Sequence, residues 1–381
     1  MYDLDKIKCF IYRGGTSRGL FFHSADVPLD FEEKKQIFLR LMGSPDIRQI
    51  DGLGGATSHT SKVVIISKSD EDDLDIEYDF YQVGIDSSFI GASMCGNLLS
   101  AAGLFAVDEG LVELNEPVTV VRVRNTKSGK RYLVHIPVEN GRSITQGSHK
   151  IAGVERTGAL IKEEFLSPAG TFTGKFLPTG KPLDCIKVEG TDYNISIIDI
   201  GNLVAFLSME EVKISGTEQV MDLNVNQELL DHLEMIRGEA ARLSGLVDRA
   251  DQARIVSPSK PHLALVGHPL QYETFYNEII DPTDYNIRLC MLHMQRFHQS
   301  IALTASICVA GSTVVKDCIV NHIYRPAKSG TMINIGHPSG IIRVGIEFDT
   351  SEFNQKFNLN KISTTRTARR LMEGYAYYPK V

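Results

Sequence analysis

Hydrophobic and polar positions alternate over much of this chain, and two long runs break the alternation. Residues 7–12, 20–22, 63–67, 76–83, 117–124, 131–137, 185–188, 195–200 and 262–266 read as strands. They are short, apolar or alternating, and bounded by turn-forming residues. Helical spacing predicts helices over 31–42, 158–166, 226–246 and 363–373, with a last short strand at 375–379. The two exceptional runs are Leu98 to Val107 and Ser300 to Gly311, where almost every side chain is small or apolar. A helix with no polar stripe must be surrounded by protein. Central buried helices are therefore expected near 96–108 and 300–312, the first ending at Gly110 and the second at Gly311.

Two such helices, each set among strands and about two hundred residues apart, suggest an internal duplication. The expected fold is α/β, of the α+β kind, with two domains over residues 1–184 and 185–381. Each would wrap a curved mixed sheet or barrel around its own central helix, and the C-terminal strand could return to the first domain. Residues 173–181 read as the connection between them. The hairpin over 332–344 would bring Ser339 and Gly340 to its turn.

Composition narrows the function more than the fold. At 381 residues, 43% hydrophobic and 23% charged, the chain can bury two ordinary cores. A net charge of −7 argues against nucleic acid or an anionic membrane as the main partner. No apolar run reaches membrane-spanning length, and no basic region with an apolar signal core opens the chain. Six scattered cysteines without metal-binding spacing fit a reducing cytoplasm. Whether the protein is a homo-oligomer stays open. The acidic run over 69–75 reads as a solvated hairpin tip.

The chemistry-bearing stretches are small and dispersed. Ser93, Cys95, Gly96 and Asn97 stand at the start of the first apolar helix. Free N–H groups and a positive dipole end beside a cysteine can hold an anion or sharpen a thiol, and a structural core cysteine is the competing reading. Arg13-Gly-Gly-Thr-Ser-Arg-Gly19 is a donor-rich turn flanked by arginines, either a carboxylate grip or a plain hairpin. Asp51-Gly-Leu-Gly-Gly-Ala-Thr-Ser-His-Thr-Ser-Lys62 misses the dinucleotide fingerprint and places a lysine at the mouth of an apolar strand. Such a lysine is either a solvated strand end or, in a closed site, a base made neutral by desolvation.

Taken with Leu177-Pro-Thr-Gly180, Ile198-Asp-Ile-Gly-Asn202 and Gly336-His-Pro-Ser-Gly340, these pieces span nearly the whole chain in one order. In that combination the sequence resembles the 2-methylaconitate isomerase family, within the diaminopimelate-epimerase-like superfamily. The resemblance implies two pseudo-symmetric domains, no cofactor, no metal, and a double-bond shift by proton transfer in a small unsaturated di- or tricarboxylate. It implies catalytic roles for Lys62 and Cys95, with Lys62 as base in a desolvated pocket. Gly96 and Asn97 would meet developing negative charge through their backbone N–H groups, and Ser17, Arg18, Gly54, Gly55, Ser61, His298, Ser339 and Gly340 would contact the substrate. The related epimerases use one cysteine from each half, but here the second helix start holds His298, Gln299 and Ser300, with Cys308 well inside. Two-cysteine epimerisation is therefore disfavoured. Two rival readings are a non-catalytic accessory protein that binds a dehydratase or its product, and a hydrolase pairing Cys95 with His298.

Overall fold

The computed structural model describes residues 3–326, 332–347 and 359–380. The chain forms two compact units, one comprising residues up to Leu166 together with those from Thr365 onward, the other Ser167–Thr364. The division falls before 184/185 for a local reason. The Asp199 carboxylate accepts from the Phe172 and Thr173 amides at 2.8 and 2.6 Å, and the Gly170 N–H donates to the Asp199 carbonyl at 2.8 Å. The stretch leading into 173–181 is thus tied to the strand Thr191–Asp199, inside the second unit.

Within the first unit, Leu4–Gly14 pairs antiparallel with Ser17–His23, which runs parallel to Lys62–Lys68. Ile76–Val83 follows antiparallel, then Val118–Asn125 parallel to it, then Arg131–Glu139 and Ile161–Leu166, both antiparallel. Ile90–Ser93 lies on Ile76–Val83. The second unit repeats this succession with the same senses. Thr191–Asp199, Leu203–Ser208, His262–Gly267, Ile287–His293, Met332–His337, Gly340–Glu347 and the 361–364 part of Lys361–Arg366 pair in that order, with Arg296–Phe297 on Ile287–His293.

Both central helices are present and enclosed. Every residue from Gly96 to Val107 of the Gly96–Asp108 helix is buried, as is every residue of Leu303–Ser312. Phe105 packs its ring 5.2, 5.7 and 5.8 Å from those of Phe10, Tyr12 and Phe21, an aromatic cluster that anchors the first helix. The second helix begins at Leu303, since Ala302 is still extended. Peripheral helices occupy Phe31–Met42 and Gln227–Leu243, as their amphipathic spacing predicts.

Two expected helices are strands. Over 158–166 the chain forms Ile161–Leu166, with Tyr132 opposite Phe165. Its alternate positions Ile161, Glu163 and Phe165 are all buried, so a glutamate hides the period of two while Ile161 and Phe165 imitate helical spacing. Over 363–373 the chain forms Lys361–Arg366 and then Ala368–Pro379, which pairs antiparallel along Leu4–Gly14. Pairing overrides the helix preference of Ala-Arg-Arg-Leu-Met-Glu at 368–373, a weak prior beside a full ladder of backbone bonds. The acidic run is a turn tied by Arg122, Arg124 and Arg131 to Asp75, Glu71 and Asp73.

Candidate functional site

Lys62 opens its strand and is only 8% exposed. Its Nζ donates to Gln82 Oε1 at 2.6 Å and lies 5.2 Å from the Phe80 ring centroid. Gln82 cannot turn away, because its Nε2 donates to the Ser61 and Ser58 carbonyls at 2.9 and 3.3 Å, which fixes its oxygen toward the lysine. Among the described residues no carboxylate pairs with Lys62. Burial therefore pulls its pKa below the ordinary lysine value, with the neighbouring Cys95 acting in the opposite direction. His59 is pushed down to about 4, by burial first and the Lys62 charge second, so its ring stays neutral.

Cys95 is the N-cap of the central helix and half-buried; its side chain makes no capping bond. The first intrahelical bond runs from the Leu99 N–H to the Cys95 carbonyl at 3.2 Å, which leaves the N–H groups of Gly96, Asn97 and Leu98 outside the helical ladder. Cys95 Sγ lies 3.9 Å from Ser17 Oγ, and the Tyr78 hydroxyl donates to the Cys95 carbonyl at 3.0 Å. The turn beneath is held by Asn97, whose Nδ2 donates to Thr16 Oγ1 at 3.1 Å. Gly15 makes that contact possible: its φ is +50°, and a Cβ there would stand 2.2 Å from Asn97 Oδ1.

Behind the helix start sits a buried pair that the sequence patterns do not reveal. Arg366 donates from Nε to Asn97 Oδ1 at 3.0 Å and is held down to about 10 by burial, with Glu163 and Cys95 opposing. Glu163 is fully buried, and among the described residues neither carboxyl oxygen has a hydrogen-bond partner. The nearby Ser100 hydroxyl is committed to the Asn97 carbonyl at 2.8 Å. Burial pushes Glu163 up to about 8 against the pull of Arg366, so it keeps its proton near neutrality.

Ser17, Lys62, Cys95, Gly96 and Asn97 thus come together at one helix end. Arg18 lies beside the glycine loop: its N–H donates to the His59 carbonyl at 2.9 Å, and a Cβ on Gly55 would stand 2.9 Å from its guanidinium. Gly54 is tied to the Met42 carbonyl at 3.3 Å. Ser61 is fully buried with its Oγ accepting from Gln49 at 2.8 Å, a structural bond.

His298, Ser339 and Gly340 belong to the second unit. His298 Nδ1 accepts from the Ser300 N–H at 3.0 Å, which puts the hydrogen of a neutral ring on Nε2. Ser339 is buried and its hydroxyl donates to the Gln299 carbonyl. Gly340 opens the returning strand of the hairpin with φ +130°, its carbonyl 2.8 Å from the Tyr272 hydroxyl. The duplication also brings out residues not anticipated from sequence. Val63 pairs with Leu20 and Tyr81, while Leu263 pairs with Ala205 and Leu292. One residue earlier, His262 therefore stands where Lys62 does, its ring 5.1 Å from that of His293, the counterpart of Gln82. The signal was available: each polar residue opens an apolar strand.

Among the described residues no cluster of His, Cys, Asp or Glu is placed to hold a metal ion, and no helix is long and apolar enough to cross a membrane. Over its whole length the chain is 37% identical to the 3-methylitaconate isomerase of Eubacterium barkeri, covering 99% of that protein. It is 32% identical to a 2-methyl-aconitate isomerase of Shewanella oneidensis, with 98% of this chain and 97% of that one covered. The crystal structure of a methylitaconate-delta-isomerase superposes with a TM-score of 0.82 at 36% identity, over 99% of this chain and 97% of that one. A hydroxyproline epimerase from Agrobacterium vitis shares the fold at 12% identity, with a TM-score of 0.55 over 98% and 92% of the two chains. A model of the PrpF protein family matches residues 4–379, and the chain belongs to that family.

Proposed function

We propose that this protein is an isomerase that moves a carbon–carbon double bond in a small unsaturated di- or tricarboxylate by proton transfer. The observation that carries the reading is Lys62, a buried amine with no carboxylate partner among the described residues, beside Cys95 and the start of the central helix. Relatives that act on 3-methylitaconate and 2-methylaconitate support the substrate class.

Neutral Lys62 removes an allylic proton conjugated to a carboxylate, and the C–H electron pair passes into a dienolate. The N–H groups of Gly96 and Asn97 meet the charge that develops on oxygen. Cys95 delivers a proton to the far allylic carbon, and transfer from Lys62 to the thiolate restores both groups. One proton leaves and one returns, so the step balances with the chain's own groups and needs no electron acceptor or cofactor. The free cysteines support a reducing, cytoplasmic setting.

The test is an NMR assay in D₂O of the purified protein against a panel of unsaturated di- and tricarboxylates. Isomerisation with deuterium entering at the allylic carbon is expected. Binding without turnover or exchange would instead favour the accessory-protein reading.

A further inference from the structure

The buried pair behind Cys95 has no part in the proton transfers above. Arg366 is 6% exposed and belongs, with Glu163, Asn97 and Thr16, to the first unit. Its Nε donates to Asn97 Oδ1 at 3.0 Å, and Asn97 Nδ2 donates in turn to Thr16 Oγ1 at 3.1 Å. An oxygen must face Nε, so the Asn97 amide has one orientation only. Thr16 lies in the turn leading to Ser17, whose Oγ stands 3.9 Å from Cys95 Sγ. One line of bonds therefore runs from Arg366 through Asn97 to the turn beside the thiol. Packing leaves it no slack. A Cβ on Gly14 would stand 2.4 Å from the Asn97 carbonyl oxygen, and one on Gly15 would stand 3.0 Å from Arg366 Cδ.

Asn97 Oδ1 needs only a donor, and a neutral amide would serve. A buried guanidinium costs more free energy than a buried neutral donor, so its charge calls for a reason beyond that bond. The facing carboxyl does not cancel the charge. An ionised carboxylate beside a guanidinium takes short, charge-assisted hydrogen bonds. Among the described residues neither Glu163 oxygen accepts one, while Arg366 Nη1 donates to the Thr365 carbonyl at 2.8 Å. Glu163 thus behaves as a protonated acid, in keeping with the burial that pushes it up to about 8. Burial holds Arg366 down to about 10, with Glu163 and Cys95 opposing, so the guanidinium stays charged at neutral pH. Ser100 and Tyr78 complete the surroundings as neutral hydroxyls, donating to the Asn97 and Cys95 carbonyls at 2.8 and 3.0 Å, the phenol kept neutral by burial.

We propose that Arg366 is a positioning residue of the isomerase site. It fixes the helix start through Asn97, and its buried charge favours the negative charge that forms on Cys95 and on substrate oxygen during proton transfer. Its chemical role rests on the isomerase reading above; its coupling to Cys95 does not.

Iodoacetamide alkylation of Cys95 at pH 7, followed by peptide mass mapping, reads negative charge on the sulfur, with the exposed Cys185 as internal reference. Arg366→Gln keeps an amide donor for Asn97 and removes the charge, so it should slow Cys95 about tenfold relative to Cys185. Arg366→Lys keeps the charge and should stay within about threefold of the natural chain. A purely structural peg predicts the opposite sign, because a loosened helix start exposes the thiol and speeds its reaction. On the polycarboxylate that turns over in the panel above, Arg366→Gln should lower kcat about 10²-fold with KM within about threefold. Arg366→Lys should recover most of that loss. Cys95 unchanged or faster in Arg366→Gln, Arg366→Lys as slow as Arg366→Gln, or a loss confined to KM would each overturn the role. Arg366→Met stands in if Arg366→Gln does not fold, since an apolar side chain of similar length is often tolerated in place of a buried ion. Failure of both to fold would reduce Arg366 to a structural peg. Turnover without the labelling pattern overturns the role alone, whereas the pattern without turnover overturns the isomerase reading and keeps the coupling of Arg366 to Cys95.

Discussion

Lys62 donates to Gln82 Oε1 at 2.6 Å, and that neutral oxygen, held in place by the Ser61 and Ser58 carbonyls, is its strand-register partner. A glutamate in the same position would set a carboxylate against the lysine. Gln82→Glu is expected to stabilise the ammonium and raise the Lys62 pKa. A base works only unprotonated, so rate climbs as pH rises through its pKa. The acid limb of kcat/KM should therefore move to higher pH, and activity at pH 7 should fall about tenfold for every pH unit that the limb moves. An unmoved limb would remove Lys62 from the titration.

Lys62→Ala should lower turnover by about 10²–10⁴-fold and abolish substrate-dependent deuterium exchange, while circular dichroism and melting temperature stay near those of the natural chain. Lys62→Arg should be no better, since a guanidinium keeps its proton at any working pH. Near-normal exchange in Lys62→Ala would show that another group abstracts the proton.

The elements around this site were legible because their patterns are one-sided. Uninterrupted apolar runs marked the two central helices, and Lys62 before Val-Val-Ile-Ile marked a polar group at the edge of a core. Gln82, Glu163 and Arg366 were illegible for the opposite reason. Each is a polar residue on a strand where the period of two predicts either core or solvent, and burial of such residues is decided by partners distant in sequence. Arg366 meets Asn97 through a strand whose composition imitates a helix, so the error at 363–373 also concealed the contact. The equivalence of His262 with Lys62 needed strand register, which composition does not carry.

Glu163 should leave a mark on stability. Its folded pKa is raised to about 8 from an ordinary 4.5, so between those limits the native state holds a proton that the unfolded chain has released. Stability contributed by this group is then fully present below about pH 4.5 and is lost as pH rises toward 8. Glu163→Gln keeps the shape without the titration. Its melting temperature should exceed that of the natural chain above pH 7, with the difference shrinking on acidification. A constant offset at all pH values would mean that Glu163 is ionised throughout and held by Arg366.

Cys95 is the remaining proton carrier, and its accessibility sets it apart from the core thiols. Burial raises Cys9 to about 12 and Cys318 to about 11 and pushes Cys308 up as well, while Cys185 is exposed and Cys95 half-buried at a helix start. Iodoacetamide at neutral pH should therefore modify Cys95 and Cys185 well before the others, and an unsaturated dicarboxylate should protect Cys95 alone. Prior reaction of Cys308 or Cys318 would remove the assigned role. Because abstraction falls to Lys62, Cys95→Ser should still exchange deuterium at the abstraction site while product formation drops by about 10²-fold or more, a hydroxyl being a far weaker acid than a thiol. If Cys95→Ser loses exchange and Lys62→Ala retains it, the thiolate is the base and the lysine the acid. The chemistry then lies closer to that of the cysteine-dependent epimerases.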